Sequence, residues 1–306
     1  MKAESGGQYH LQAEALAKQM RIATVTDMMQ YLETLQELPT LSSVAMRVNG
    51  MLMNTDTTAH DLAQVIEKDQ SIASKLLKLA NSSFFGFSSR VSSVAHAVMI
   101  LGFNSVRNAV LSMAVIDAFS LKHHRQSGFD LTSFWRHSIS VAVIGRYLGN
   151  ATKGRGIENV FTAGILHDIG KVVMAIYFPE RFIELKQSMD EEAASCMNTE
   201  HQFFPIGHSA MGAFLVRCWN LPVDLVAAIA QHHHPELLPR EDDLLPLVHA
   251  ADAIVNIYLE KNGDAEQWPI CQSAWRLLGD KIQNVHEWLP AIEEEIQHAC
   301  QVILDN

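Results

Sequence analysis

Histidine and aspartate recur through the second half of this chain in a pattern that suits metal ions. His167 and Asp168 are adjacent, with the apolar run Ala163-Gly164-Ile165-Leu166 before them and Ile169-Gly170-Lys171 after. Neutral imidazole is a good ligand for zinc, iron or manganese, and a carboxylate has two oxygens with which to bridge a pair of ions. A lone His-Asp pair more often caps a helix end. Further positions change the weight: His137, His208, the neighbours His232 and His233, and Asp252. Each stands on or beside an apolar stripe, as His137 does between Phe134 and Val141, and Asp252 among Val248, Ala251 and Val255. A buried imidazole or carboxylate must be paired, hydrogen-bonded or coordinated. One such residue is ordinarily a satisfied core group. The whole set, spread over several helix faces, points to shared cations. His232 and His233 project about 100° apart on a helix, and at a frayed end they could serve one ion each.

The elements that must position these residues read as helices. No stretch alternates polar and apolar side chains with the period of a strand, so the chain is expected to be all-α. In the first half the apolar spacing predicts helices over 43–53, 58–67, 71–81, 94–101 and 105–119. Asp56 or Thr57 is the expected cap of the second of these and Asp69 that of the third. The segment 82–89, with Phe84, Phe85 and Phe87, reads as a loop pinned by aromatic anchors. A polar stretch over 120–131 marks a lobe boundary. Helices resume over 134–148, 157–168, 171–178, 179–190, 191–201 and 207–219. Another runs from Pro222 to His233 or His234, where Pro235 stops it, and 244–261 follows. Two more are expected over 266–279 and 281–304. The organisation is then a helical extension (1–29), an N-terminal helical lobe (30–119), a second helical bundle carrying the histidines (132–262) and a tail (263–306). The apolar face of that tail is expected to pack on the same chain, with homodimerisation as the alternative.

Composition excludes several classes. A formal charge of −11 over 306 residues leaves no general basic face for nucleic acid. The four cysteines, Cys196, Cys218, Cys271 and Cys300, are widely spaced and form no C-x-x-C pair, which fits reduced thiols rather than disulfides or a cysteine zinc site. The polar first 20 residues are not a secretory signal, and no run approaches the ~18 continuous apolar residues of a membrane span. The expected location is cytoplasmic.

The order His137 … His167-Asp168 … His208 … His232-His233 … Asp252 resembles the HD superfamily of metal-dependent phosphohydrolases. His167-Asp168-Ile169-Gly170-Lys171 is similar to the H-D-I-G-K motif of the HD-GYP branch, which cleaves cyclic di-GMP. His208-Ser209-Ala210-Met211-Gly212 resembles its H-x-x-x-G segment. The first half narrows the resemblance. Leu38-Pro39-Thr40-Leu41, Ile66-Glu67-Lys68-Asp69, the run Lys75 to Ser82 with its Leu79-Ala80-Asn81-Ser82 ending, and Ala97 to Gly102 together resemble the HDOD domain, the HD-related output domain of bacterial signalling proteins, over about 30–260.

The resemblance implies a two-lobed helical domain whose second lobe is an HD-type bundle. It implies that Asp168 bridges two divalent ions, with His137, His167, His208, His232, His233 and Asp252 completing the shells. Iron or manganese ranks first, with zinc and nickel open. Asp168 and Lys171 are the candidate catalytic residues. Lys171 would contact a phosphate oxygen or, equally, be a helix C-terminal charge. His249, one turn before Asp252, would be a hydrogen-bond partner behind the ligands.

Departures from the pattern bear on catalysis: the G-Y-P loop is absent, His234-Pro235 stands where a glutamate is expected, and Ser133 where the HD-GYP pattern often has a metal-binding glutamate. The leading expectation is a signalling module that keeps a mono- or dinuclear metal site and acts through protein contacts of its N-terminal lobe. The alternative is a phosphohydrolase acting on a phosphorylated small molecule or cyclic dinucleotide. A di-iron oxygenase, as in inositol oxygenase on the same scaffold, is the third.

Overall fold

The computed structural model describes residues 24–35, 38–51, 57–81, 90–119, 128–152, 157–192, 196–237, 243–260, 265–266 and 268–304. Among them every regular element is helical. The expectations for 1–23, the Phe84–Phe87 loop and most of the 120–131 linker lie outside the described residues.

The first half holds α1 (Val25–Thr34), α2 (Ser43–Met51), α3 (Ala59–Ile66), α4 (Gln70–Ala80), α5 (Val94–Leu101) and α6 (Phe103–Ala118). The cap of α3 is Thr58 rather than Asp56 or Thr57. Thr58 Oγ1 accepts from the Asp61 N–H while Asp61 accepts from the Thr58 N–H, a reciprocal pairing. Asp69 caps α4 through the Ile72 N–H, as expected.

The second half holds α7 (Leu131–Asn150), a 3₁₀ turn (Ile157–Asn159), α8 (Val160–Leu166), α9 (Ile169–Tyr177), α10 (Pro179–Glu192), α11 (Cys196–Phe203), α12 (His208–Cys218), α13 (Val223–Gln231) and α14 (Leu244–Ile254). α14 continues as a π-helical segment, Val255–Glu260. α15 (Gln272–Gln283) and α16 (Val285–Leu304) end the chain. α7 is longer than expected because Asp130 accepts from the N–H groups of Thr132 and Ser133 and starts it three residues earlier. The expected helix over 157–168 ends at Leu166, and His167-Asp168 forms the corner into α9.

Long helix α7 is the axis of the second half, and α8, α14 and α16 pack along it. Two glycines set how closely helices cross. A Cβ on Gly164 of α8 would lie 2.6 Å from backbone atoms of Ala142 in α7, and one on Gly170 of α9 would lie 1.9 Å from the carbonyl oxygen of His208 in α12. Only glycine permits these approaches. The first crossing draws His137 and His167 to one level, and the second sets Asp168 beside His208.

The tail packs on its own chain. Leu278, Ile282, Val285, Trp288 and Leu289 are buried, and Trp288 stacks on Tyr147 of α7 at 4.6 Å between ring centroids.

Buried side chains of both halves form one continuous apolar cluster. At their junction lies a buried polar network that the sequence pattern did not disclose. Arg107 of α6 donates to Asn108 Oδ1 (2.8 Å) and Asn159 Oδ1 (3.1 Å), Asn108 donates to the Glu158 carbonyl (2.6 Å), and Asn159 donates to Asp224 of α13. It ties the first half to the root of α8, which leads to His167, and to the first turn of α13, which leads to His232. The segment Ile157–Tyr177 has the length and composition of a membrane span but is 89% buried inside the protein, and it is split by the His167-Asp168 corner.

Candidate metal centre

Five helix ends or faces deliver the predicted residues to one place. His137 comes from the middle of α7, His167 and Asp168 from the α8–α9 corner, and His208 from the first position of α12. His232 and His233 come from the turn after α13, and Asp252 from α14. They form two groups: Asp168, His208, His232 and His233, and then His137, His167 and Asp252. Within each, the potential ligand atoms lie within 4.8 Å of one another. Asp168 joins the groups. Its Oδ1 lies 3.1 Å from His208 Nε2 and 3.5 Å from His232 Nε2, and its Oδ2 lies 3.4 Å from His167 Nε2 and 3.9 Å from His137 Nε2. His232 and His233 fall in the same group. Both face His208 Nε2, at 3.3 and 3.0 Å, from the turn that follows the helix end at Gln231.

What turns each ring inward is the partner of its other nitrogen. Nδ1 of His167 lies 2.8 Å from the Gly164 carbonyl and Nδ1 of His232 lies 2.8 Å from that of Ile229. Nδ1 of His137 meets Glu260 at 2.8 Å, and Nδ1 of His208 meets Glu200 at 2.7 Å. Each contact leaves Nε2 to the centre. Histidine ligands in metal sites are oriented in this way.

Glu200 and Glu260 are absent from the sequence reading. Glu200 is a single glutamate in a polar helix, yet it is 1% exposed and its Oε2 also accepts the His208 N–H at 2.9 Å. Glu260 depends on the π-helical segment. On a regular α-helix, eight residues would leave it about 80° around the axis from Asp252. The wider winding, a feature often found at functional sites, returns it to the same face. Asp252 Oδ1 then lies 3.2 Å from His137 Nε2 while Glu260 holds Nδ1 of the same ring. Asn256 steadies Asp252 by donating to its Oδ1 at 2.8 Å.

The donor set fits divalent cations. Asp168 Oδ1 is buried and receives no hydrogen bond among the described residues, although imidazole nitrogens surround it. An orphaned buried carboxylate oxygen is costly unless a cation compensates it. Mixed imidazole and carboxylate ligation suits iron, manganese, zinc or nickel.

Lys171 is not a helix C-terminal charge. It sits in the first turn of α9, and its ammonium lies 2.5 Å from Asp168 Oδ2. Ser133, in place of a glutamate, supports the cap of α7 by donating to Asp130 at 2.7 Å. His249 lies behind the ligands as expected, but its Nδ1 meets the His232 carbonyl at 2.9 Å rather than Asp252. Its Nε2 accepts from the Cys271 N–H at 3.2 Å, so it ties the tail to the ligand turn.

Electrostatics of the metal-free centre favour trapped protons. Burial opposes charge on His208, but Glu200 and Asp168 outweigh it and raise its pKa to about 9. Burial likewise opposes charge on His137, and Asp252 and Glu260 raise it to about 10. Burial lowers His232 to about 4, with His167 and His208 adding to the effect. For Asp168, burial pushes upward, yet Lys171, His167 and His208 hold it well below the usual carboxylate range. The raised values of His137 and His208 stabilise the metal-free fold fully below the unfolded pKa of 6.5. That contribution fades as pH rises through about 9 to 10.

Ligation needs both rings neutral and they stand in different groups, so each ion should release about one proton at pH 7 and its apparent affinity should rise roughly tenfold per pH unit near neutrality. Chelator-competition titrations at pH 6.5, 7.5 and 8.5 measure this. An affinity independent of pH would contradict the paired states.

A family model for the HDOD domain matches residues 38–235. The chain belongs to the HDOD family. An HDOD domain protein of unknown function from Geobacter sulfurreducens has the same fold with a TM-score of 0.72 and 25% identity, over 90% of this chain and 96% of that one. A candidate signal transduction protein from Marinobacter aquaeolei VT8 gives 0.69 and 25% identity, over 91% of this chain and 61% of that one. A candidate phosphohydrolase from Shewanella amazonensis SB2B gives 0.68 at 23% identity, over 89% and 97%, a likeness of fold. An uncharacterized protein of Treponema pallidum (strain Nichols) is 25% identical over 210 residues, 68% of this chain. This HDOD chain spans about 40% of that curated relative's length.

The family match ends at residue 235, short of the ~260 expected from the motifs, so Asp252 and Glu260 of the HDOD chain lie beyond it. At His234, where the HD-GYP pattern has a glutamate, the imidazole is half exposed and meets Glu236 at 3.3 Å, away from the ligand groups.

Proposed function

We propose that this HDOD chain is a cytoplasmic signalling module that keeps a metal centre of two ions, iron or manganese before zinc or nickel, and acts mainly through protein contacts. The observation that carries this reading is enclosure. Exposure of the side chains is 12% for His137, 5% for Asp168, 8% for Asp252 and 0% for His167, His208 and His232, and His233 is partly buried. A bulky cyclic dinucleotide has little access to such a centre, and Glu260, 34% exposed beside His137, repels a phosphate at its edge. When bound, divalent ions supply Lewis acidity and tight cross-linking of helices. The chain's residues do the rest: Glu200 and Glu260 orient imidazoles, Asp168 joins the groups, and Lys171 neutralises its outer oxygen.

A signalling partner fits the N-terminal lobe, where Met99 of α5 is 71% exposed and Met46 of α2 is 38% exposed. Boundaries near 119 and 132 suit a lobe that carries the contact and a bundle that carries the ions. The buried Arg107–Asn159–Asp224 network supports coupling between them. Homodimerisation remains the alternative partner reading, through the partly exposed Trp275 of α15.

The completeness of the ligand set favours a second reading, a phosphohydrolase. Turnover of bis-p-nitrophenyl phosphate by protein loaded with Mn²⁺, Fe²⁺, Zn²⁺ or Ni²⁺ separates the two. The signalling reading expects a rate no higher than that of Asp168→Asn. Metal-dependent turnover lost in Asp168→Asn would establish the hydrolase.

A further inference from the structure

The centre carries a cation of its own. Lys171 stands three residues after Asp168, and its ammonium lies 2.5 Å from Asp168 Oδ2. That oxygen is the one nearer the second group, 3.4 Å from His167 Nε2 and 3.9 Å from His137 Nε2. The other oxygen, Oδ1, faces His208 and His232 and is the orphaned atom. The carboxylate that joins the groups therefore presents an oxygen without a hydrogen bond to one half of the centre and an ammonium-paired oxygen to the other.

The halves differ in how their rings are held as well. Around His208 two of the three rings are out of solvent, while His233 is partly exposed. His208 and His232 are fully buried, and Glu200 grips both Nδ1 and the backbone N–H of His208. In the other half His167 and Asp252 are buried, and the open edge lies at His137. His137 is 12% exposed, Glu260 behind it 34%, and the Lys171 side chain 27%. Glu260 holds one nitrogen of its ring from a π-helical segment at the end of α14.

We propose that Lys171 makes the two halves unequal by acting as an internal counter-ion on Asp168 Oδ2. The His208 half then takes a divalent cation tightly. The His137 half takes one weakly, so its occupancy follows the free metal concentration. The ammonium must leave Oδ2 before that oxygen can ligate. A lysine on a flexible four-carbon stem, partly exposed, has solvent to enter when it does. Filling the second half thus moves a positive charge from a buried pair to the surface, a change that a protein partner can read. The inference rests on the metal-centre reading and adds its regulation.

Equilibrium dialysis of the full chain against Mn²⁺, with bound metal counted by mass spectrometry, tests it. Wild type is expected to show two binding classes at least ~100-fold apart. Lys171→Met should tighten the weak class about tenfold, the worth of roughly one unit of pK interaction, and move the tight class less than threefold. Lys171→Gln, which keeps a polar head, should act in the same direction. Glu260→Gln should weaken the weak class alone. Two equal classes in wild type, or a weak class unmoved in both Lys171 variants, would overturn the role of Lys171 while leaving the metal centre standing. No bound Mn²⁺ in wild type at any concentration would overturn the centre itself.

Discussion

Gly170→Ala is expected to destabilise the protein by more than about 3 kcal/mol and to abolish tight metal binding. The added Cβ would lie 1.9 Å from the His208 carbonyl oxygen, 2.7 Å from the His208 carbonyl carbon and 2.8 Å from the Gly212 nitrogen. All three are backbone atoms, so no flexible side-chain end can move aside. Overpacking typically costs ~1–3 kcal/mol, and more where the backbone itself must shift. Here α9 and α12 would have to part, and they carry Asp168 and His208. The same displacement that relieves the clash pulls these residues, now 3.1 Å apart, out of ligand range. Gly50, where an added Cβ meets nothing within 4 Å, is the control site. Urea unfolding compares Gly170→Ala with Gly50→Ala. Equal stability of the two would refute the close crossing.

His208→Leu should cost the metal-free protein ~3–5 kcal/mol, the range for removing one member of a buried ion pair. Glu200 is 1% exposed and its pKa, though burial pushes it upward, is held low chiefly by His208. With His208 gone, a carboxylate stays buried without its cationic partner. Glu200→Leu should cost less, ~1–3 kcal/mol, since the remaining imidazole can shed its proton. The double variant should be more stable than the sum of the two losses, because leucines of similar volume need no counter-charge. Chelator-treated samples unfolded in urea at pH 7 give all four stabilities. A His208→Leu cost below 1 kcal/mol, or strict additivity, would contradict the buried pair.

The all-α class and the ligand order could be read from sequence because each depends on residue type and local period. Histidines at His137, His208 and His232 stand out against apolar neighbours, and His167-Asp168 is a contiguous pair. Gly170 was visible as a motif letter and Gly164 only as part of an apolar run, but the reason for both is tertiary: they are crossing points with His208 and Ala142. Glu200 could not be read, because one glutamate in a polar helix carries no sign of burial; its partner lies eight residues on, across the break at Phe204–Gly207. Glu260 was hidden by winding, since apolar periodicity over 244–261 reads as one regular helix and the change to π geometry after Ile254 leaves no local signature. The Arg107–Asn108–Asn159–Asp224 network joins residues more than 100 positions apart, beyond what any periodicity encodes. Lys171 was misassigned in one of its two readings because the corner at His167-Asp168 is only two residues long, and the boundary decides whether the lysine ends one helix or begins the next.

The account stands on a metal centre anchored by Asp168, and elemental analysis of freshly purified protein tests it most directly. Wild type should carry at least about one equivalent of transition metal per chain, retained by the half around His208, and Asp168→Asn should carry less than about a tenth of that. Metal-free wild type that also takes up none on reconstitution, or an Asp168→Asn variant with unchanged metal content, would contradict it.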